Sequence, residues 1–108
     1  NKVKEVINVD CITLEDLLDQ YLPEPSYKID FLSLDVEGFD LKVLKGNNWT
    51  KHRPTVLCVE SNKLLNSTLE DGVVSYLDNQ GYELIGKTLT THTLGNLIFM
   101  DRSAYLEI

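Results

Sequence analysis

Basic residues are scarce in this 108-residue chain, and so are cysteine, proline and glycine. Ten Lys and Arg stand against seventeen Asp and Glu, for a formal net charge of −7, and no two basic residues adjoin. A nucleic-acid or anionic-membrane surface needs clustered Lys and Arg, so neither partner is expected. The two cysteines, Cys11 and Cys58, lie far apart in apolar surroundings. Without a Cys-x-x-Cys or Cys/His spacing there is no zinc signature, and buried free thiols are expected rather than a disulfide. The first residues, "NKVKEVINVDC", hold no long apolar run. Neither a signal peptide nor a transmembrane helix is therefore expected, and with free thiols this points to the cytoplasm. Two glycosylation sequons, at Asn48 and Asn66, are then attributed to chance.

What is present is enough for one domain at most. The apolar fraction of 43% permits a core, although a chain this short buries a modest share of its surface. Val3 to Val9 reads as a strand. Thr13 then stands as N-cap to "LEDLLDQYL", with Asp16 three residues on as in a capping box. Leu14, Leu17, Leu18 and Tyr21 share one face of that helix, which Pro23 and Pro25 stop. "IDFLSLDV" is nearly continuous and apolar, as for an interior strand covered on both faces. Leu41, Val43 and Leu44 mark a short helix ending at Gly46 as a C′-type stop. "PTVLCVE" gives another strand, Thr55 to Glu60. "LEDGVVSYLDNQ" reads as a helix with Leu69, Val73, Tyr76 and Leu77 inward, stopped by Gly81. "YELIGKT" and "GNLIFMDR" are two strands joined by the polar turn "LTTHTL", an antiparallel pair. Alternating strands and helices predict an α/β fold: a mostly parallel sheet with helices on its faces and an antiparallel C-terminal pair.

Such sheets bind ligands beyond the carboxyl ends of their strands. Asp35 and Glu37 stand at one such end and Glu60 at another, so three acids would line one rim. Glu37 may be read either as starting the following helix at the positive end of its dipole or as facing a ligand. Asp35 ends a hydrophobic strand, where an unused carboxylate costs desolvation, and this favours a site role. Glu60 could equally order a loop. Gly38 either supplies a backbone conformation barred to other residues or admits a close neighbour. His92 has a base's chemistry, but its polar turn reads as a solvated loop.

"IDFLSLDVEGFDLKVLKG" resembles the central signature of FkbM-type methyltransferases, which carry D-x-E-G, then an acid, Leu, x, Val-Leu and Lys-Gly. "TLEDLL", "RPTVLCVE", "LDNQGYEL" and "GNLIFMDR" are similar to further segments of that family, in order, over nearly the whole chain. The resemblance implies transfer of a methyl group from S-adenosylmethionine to a hydroxyl of a sugar or other small metabolite. It implies that Asp35 lies nearest the transferring methyl, as base or orienting group, with Glu37 and Glu60 behind it. It also implies a Rossmann-like sheet of seven strands whose cofactor sits at a glycine-rich turn. The glycines at 38, 46, 72, 81, 86 and 95 form no G-x-G. The chain is thus expected to be the C-terminal half of such a domain, with strands four to seven and an incomplete cofactor site.

Two rivals belong to other classes. "LSLDVEG" also looks like the Asp-x-Glu motif of two-metal exonucleases. The partner acid is missing, since Gln80 and Leu97 occupy the offsets from Tyr76 and His92. The other rival is a non-catalytic module that dimerises through an exposed sheet edge.

Overall fold

The computed structural model describes residues 5–24 and 26–105. Its elements in chain order are helix α1 (Leu14–Tyr21), strand β1 (Phe31–Leu34), helix α2 (Asp40–Lys45) and strand β2 (Val56–Ser61). A 3-10 segment (Leu65–Glu70), helix α3 (Gly72–Asn79), strands β3 (Tyr82–Leu89) and β4 (Gly95–Asp101), and helix α4 (Arg102–Tyr105) follow. The expected strand over Val3 to Val9 does not form where it is described. Residues 5–9 carry no secondary structure and Val6, Ile7 and Val9 are exposed, while residues 3 and 4 lie outside the described residues.

One four-stranded sheet runs β1-β2-β4-β3. β1 pairs parallel with β2, across α2, but β4 pairs antiparallel with both β2 and β3. The sheet is therefore mixed, not mostly parallel. The reason is the last hairpin, whose short loop returns β4 into the slot beside β2, where a parallel strand would need a long crossover.

The register sorts the side chains into two faces. Leu34, Leu57, Val59, Leu97 and Phe99 point one way and are buried with Leu44 of α2 and Val73 and Leu77 of α3. On the opposite face Phe31 is 57% exposed, and Val56, Cys58, Ile98 and Met100 are half-buried. α2 and α3 thus pack on the same side, correcting the expectation of helices on both faces. β1 is likewise an edge strand among the described residues, not an interior ribbon. Of its apolar run, Leu32, Leu34 and Val36 turn toward the core, while Phe31 faces out.

Each helix end has a local cause. Thr13 adopts extended backbone and its Oγ1 accepts the Asp16 N–H at 3.1 Å, as the capping pattern requires. Glu15 and Asp16 meet the positive end of the dipole in the first turn. α3 begins at Gly72, three residues after the expected start at Leu69. Asp71 caps it, accepting the Val73 N–H at 3.0 Å, so Leu69 falls in the 3-10 segment and is exposed. Gly81 ends the run with φ of 88°, the left-handed stop. Gly46 is different. Its φ is −83°, and a Cβ there would lie 3.3 Å from the Val43 carbonyl and 3.4 Å from Thr13 Cβ. It is small because the start of α1 abuts it, with the Glu15 N–H bonded to its carbonyl at 3.1 Å.

α1 is held mainly by polar contacts. Of its side chains only Leu14 is buried; Leu17 and Tyr21 are exposed, contrary to the face expected for them. Asn48 donates to Glu15 at 3.2 Å. Asp19 takes Lys51 Nζ at 2.8 Å and His52 Nε2 at 2.7 Å, which together hold its carboxyl below the usual range, Lys51 foremost.

Segment 47–55 closes the amino-terminal rim of the sheet. Trp49 meets Tyr82 edge-on with ring centroids 5.3 Å apart, and its indole N–H reaches Tyr76 Oη and the Leu44 carbonyl. Arg53 lies 4.9 Å above the Tyr82 ring and grips both oxygens of Asp101, at 3.1 and 3.0 Å. The Tyr82 hydroxyl donates to the Pro54 carbonyl at 2.6 Å. Burial pushes that phenol well above its ordinary value.

Candidate active site

The opposite rim, where β1 and β2 end, carries the predicted acids. β1 stops at Leu34, so Asp35 emerges just past it, exposed. Its partner strand carries Glu60 one residue from its end, half-buried and in register with Asn96 of β4. Parallel pairing aligns Leu34 with Val59, which sets the next residues, Asp35 and Glu60, side by side. The Asp35 carboxylate beside it, sharing hydrogen and repelling a second charge, raises the Glu60 carboxyl above its usual range. Asp40 and Glu37 add to the effect. Among the described residues, no Lys, Arg or His forms an ion pair with Asp35, Glu37 or Glu60.

The turn between β1 and α2 is the strained part of the rim. Glu37 has φ of 44° and Gly38 φ of 91°, consecutive residues in the left-handed region. A Cβ on Gly38 would meet nothing within 4 Å, so glycine serves the backbone conformation there, not a close neighbour. Glu37 does not start the helix. α2 begins at Asp40 after Phe39, and no side chain caps it there. The carboxylate that satisfies the turn is Asp40, 8% exposed, whose Oδ1 accepts the Val36 N–H at 3.2 Å. Burial, with Asp35 and Asp71 nearby, raises its carboxyl. The sequence marked Asp40 only as the acid that follows the glycine in a family signature. Its burial was hidden because the helix is too short to show a periodic face.

Beside this turn lies an open cavity of about 200 Å³, lined by Gly38, Asp40, Leu41, Glu60, Asp71 and Val73 among others. Asp71 is both the cap of α3 and the acceptor of the Ser61 hydroxyl at 3.2 Å. Small-molecule sites usually enclose roughly 300–1,000 Å³. This cavity falls below that range. Among the described residues no group of three or more His, Cys, Asp or Glu is placed to hold a metal ion. His92 is exposed in the β3–β4 loop, which the pairing of Ser61 with Gly95 puts at this same rim. Cys58 is half-buried on the open sheet face; Cys11 is exposed, not buried as expected, and both are free thiols. No helix among the described residues is long and apolar enough to cross a membrane.

The chemical capacity of the rim is that of paired carboxylates with one raised proton affinity, suited to orienting and deprotonating a hydroxyl. Residues 1–84 match the model of the methyltransferase FkbM domain. No curated protein and no solved structure matches the chain.

Proposed function

The chain belongs to the FkbM methyltransferase family, and from that premise we propose that it forms the acceptor side of an O-methyltransferase site. The methyl donor is S-adenosylmethionine, and the acceptor is a hydroxyl on a sugar or other small metabolite. The fold in this reading is the C-terminal half of a Rossmann-like sheet. The parallel β1–β2 pair, with its acids at the carboxyl ends, supports it. Rossmann-like domains hold such a donor at a glycine-rich turn, and the six glycines here form no G-x-G.

The observation that carries the reading is the Asp35–Glu60 pair, two carboxylates side by side with no cation paired to either among the described residues. Asp35, the more exposed, contacts the acceptor hydroxyl and aligns its lone pair for in-line attack. The proton leaves to the pair, whose repulsion holds its affinity for hydrogen above that of a lone carboxylate. Glu37 adds negative potential at the mouth.

The test is methyl transfer from radiolabelled donor to a panel of hydroxyl compounds by a longer parent chain with a complete donor site. Asp35→Asn should lower turnover by at least roughly 100-fold while leaving the thermal midpoint in place. Undiminished transfer removes Asp35 from the mechanism.

A second reading rests on the open sheet face and the edge at β1, which suit association with another copy through strand pairing. Light scattering distinguishes it: a stable dimer with no affinity for the donor favours this module over the enzyme.

A further inference from the structure

Three carboxylates line the cavity, Asp40, Glu60 and Asp71, and of these only Asp40 is buried; Asp35 and Glu37, both exposed, stand on the adjoining turn. An acid at the first position of a six-residue helix ordinarily faces solvent, where it meets the dipole at little cost. Here it turns back along the chain. The Asp40 Oδ1 accepts the Val36 N–H at 3.2 Å, while the Val36 carbonyl accepts the Phe39 N–H at 3.2 Å. Both backbone groups of Val36 are thereby engaged by the residues just beyond the turn. What lies between them is Glu37 and Gly38, both at positive φ. An L-residue such as Glu37 stays in that region only where its surroundings over-determine it.

We propose that Asp40 is the positioning residue of the carboxylate rim, its buried side chain fixing the left-handed Glu37–Gly38 turn so that Asp35 is presented beside Glu60. This rests on the reading of that rim as the reacting site.

An asparagine could make the same hydrogen bond without a charge. The acid adds something an amide cannot: its negative potential acts on Glu60, together with that of Asp35 and Glu37. The charged and titratable groups that face Asp40 are Asp35 from the turn, Glu60 from β2 and Asp71 from the start of α3, with Lys63 at the cavity lip. None is paired with it as a cation among the described residues. Asp40 therefore has two separable effects, one on backbone geometry and one on proton affinity.

The experiment uses the full chain and two variants, Asp40→Leu and Asp40→Asn. Amide exchange at Val36 is followed by NMR, with Leu57 as a core reference, and the Glu60 carboxyl is titrated by carbon detection. Asp40→Leu should speed exchange at Val36 by about tenfold, the equivalent of one lost hydrogen bond, with Leu57 unchanged. Asp40→Asn should restore protection at Val36 yet lower the titration midpoint of Glu60. Should the leucine variant fail to fold, the asparagine variant still decides. An Asp40→Asn protein with an unshifted Glu60 midpoint, or with Val36 exchanging as fast as an unprotected amide, overturns the proposal. So does a folded Asp40→Leu protein with wild-type exchange at Val36. None of these readouts depends on turnover, so failure of methyl transfer in a parent chain with a complete donor site and failure of the Asp40 contacts are told apart.

Discussion

The two rims of the sheet treat their acids in opposite ways. At the amino-terminal rim Asp101 is buried, and burial alone would push its carboxyl up. Both oxygens are held by Arg53, with Ser103 adding two more hydrogen bonds, and the net result is a carboxyl below the usual range. At the carboxyl-terminal rim Glu60 has other carboxylates for neighbours and its proton affinity rises. The first arrangement is what a fold does with a charge it must accommodate. The second works against folding, and like-charged clusters of that kind are where chemistry is commonly found. Acid content alone would not tell these rims apart; the presence of a matched cation does.

Removing that cation should have the largest effect. Arg53→Ala leaves Asp101 buried and unpaired, strips two hydrogen bonds from the Trp49 and Gln80 carbonyls, and uncovers the Tyr82 ring. With 32% of the Arg53 side chain exposed, solvent offsets part of the loss. A decrease of about 2–3 kcal/mol in unfolding free energy is expected by urea titration. A loss no greater than that of an ordinary surface substitution would erase the contrast from this side.

Glu60→Gln should act with the opposite sign. Neutralising one of the paired carboxylates relieves repulsion, so the urea midpoint at neutral pH should hold or rise. A clear drop would mean that Glu60 has a stabilising partner and that the two rims are alike after all.

The smallest effect is the pH profile that separates the rims in the wild-type protein. Glu60 and Asp40 have carboxyls raised in the folded state, from ordinary values of 4.5 and 3.8. Their contribution is fully present below those ordinary values and is lost as pH rises through the raised ones. Asp101 is depressed from 3.8, so its contribution is present above that value and disappears as pH falls through the lower one. Stability should therefore peak in mild acid and decline modestly toward neutrality. The decline should be shallower in Glu60→Gln; a decline of unchanged steepness would assign it to other groups.

How far the sequence revealed this molecule follows from where its information is local. Thr13 and Asp16 announced the start of α1, because a cap is a contact between residues three apart. β2, the hairpin strands and α2 were readable from short apolar runs bounded by glycine and proline. The strand expected over Val3 to Val9 is absent from residues 5–9 because alternation of Val and Ile gives only a tendency, and a strand also needs a neighbour to pair with. The sheet's mixed pairing and its uncovered face depend on where β4 inserts, which no local pattern encodes. Asp35 and Glu60 were legible as candidates because both follow apolar strands; their adjacency needed the parallel register. Asp40 and the Arg53–Asp101 pair were illegible, since the partners in the latter stand 48 positions apart.

Helix α1 carries a consequence of its own. An element that contributes one buried leucine and is otherwise fastened by Asn48, Lys51 and His52 has little hydrophobic reason to stay docked. It can peel away as a unit while the sheet keeps its core, opening far more often than the molecule unfolds as a whole. A protease would find the exposed residues Ser26 to Lys28 long before it found β2, and added salt would hasten the cut by loosening the ionic clasp at Asp19.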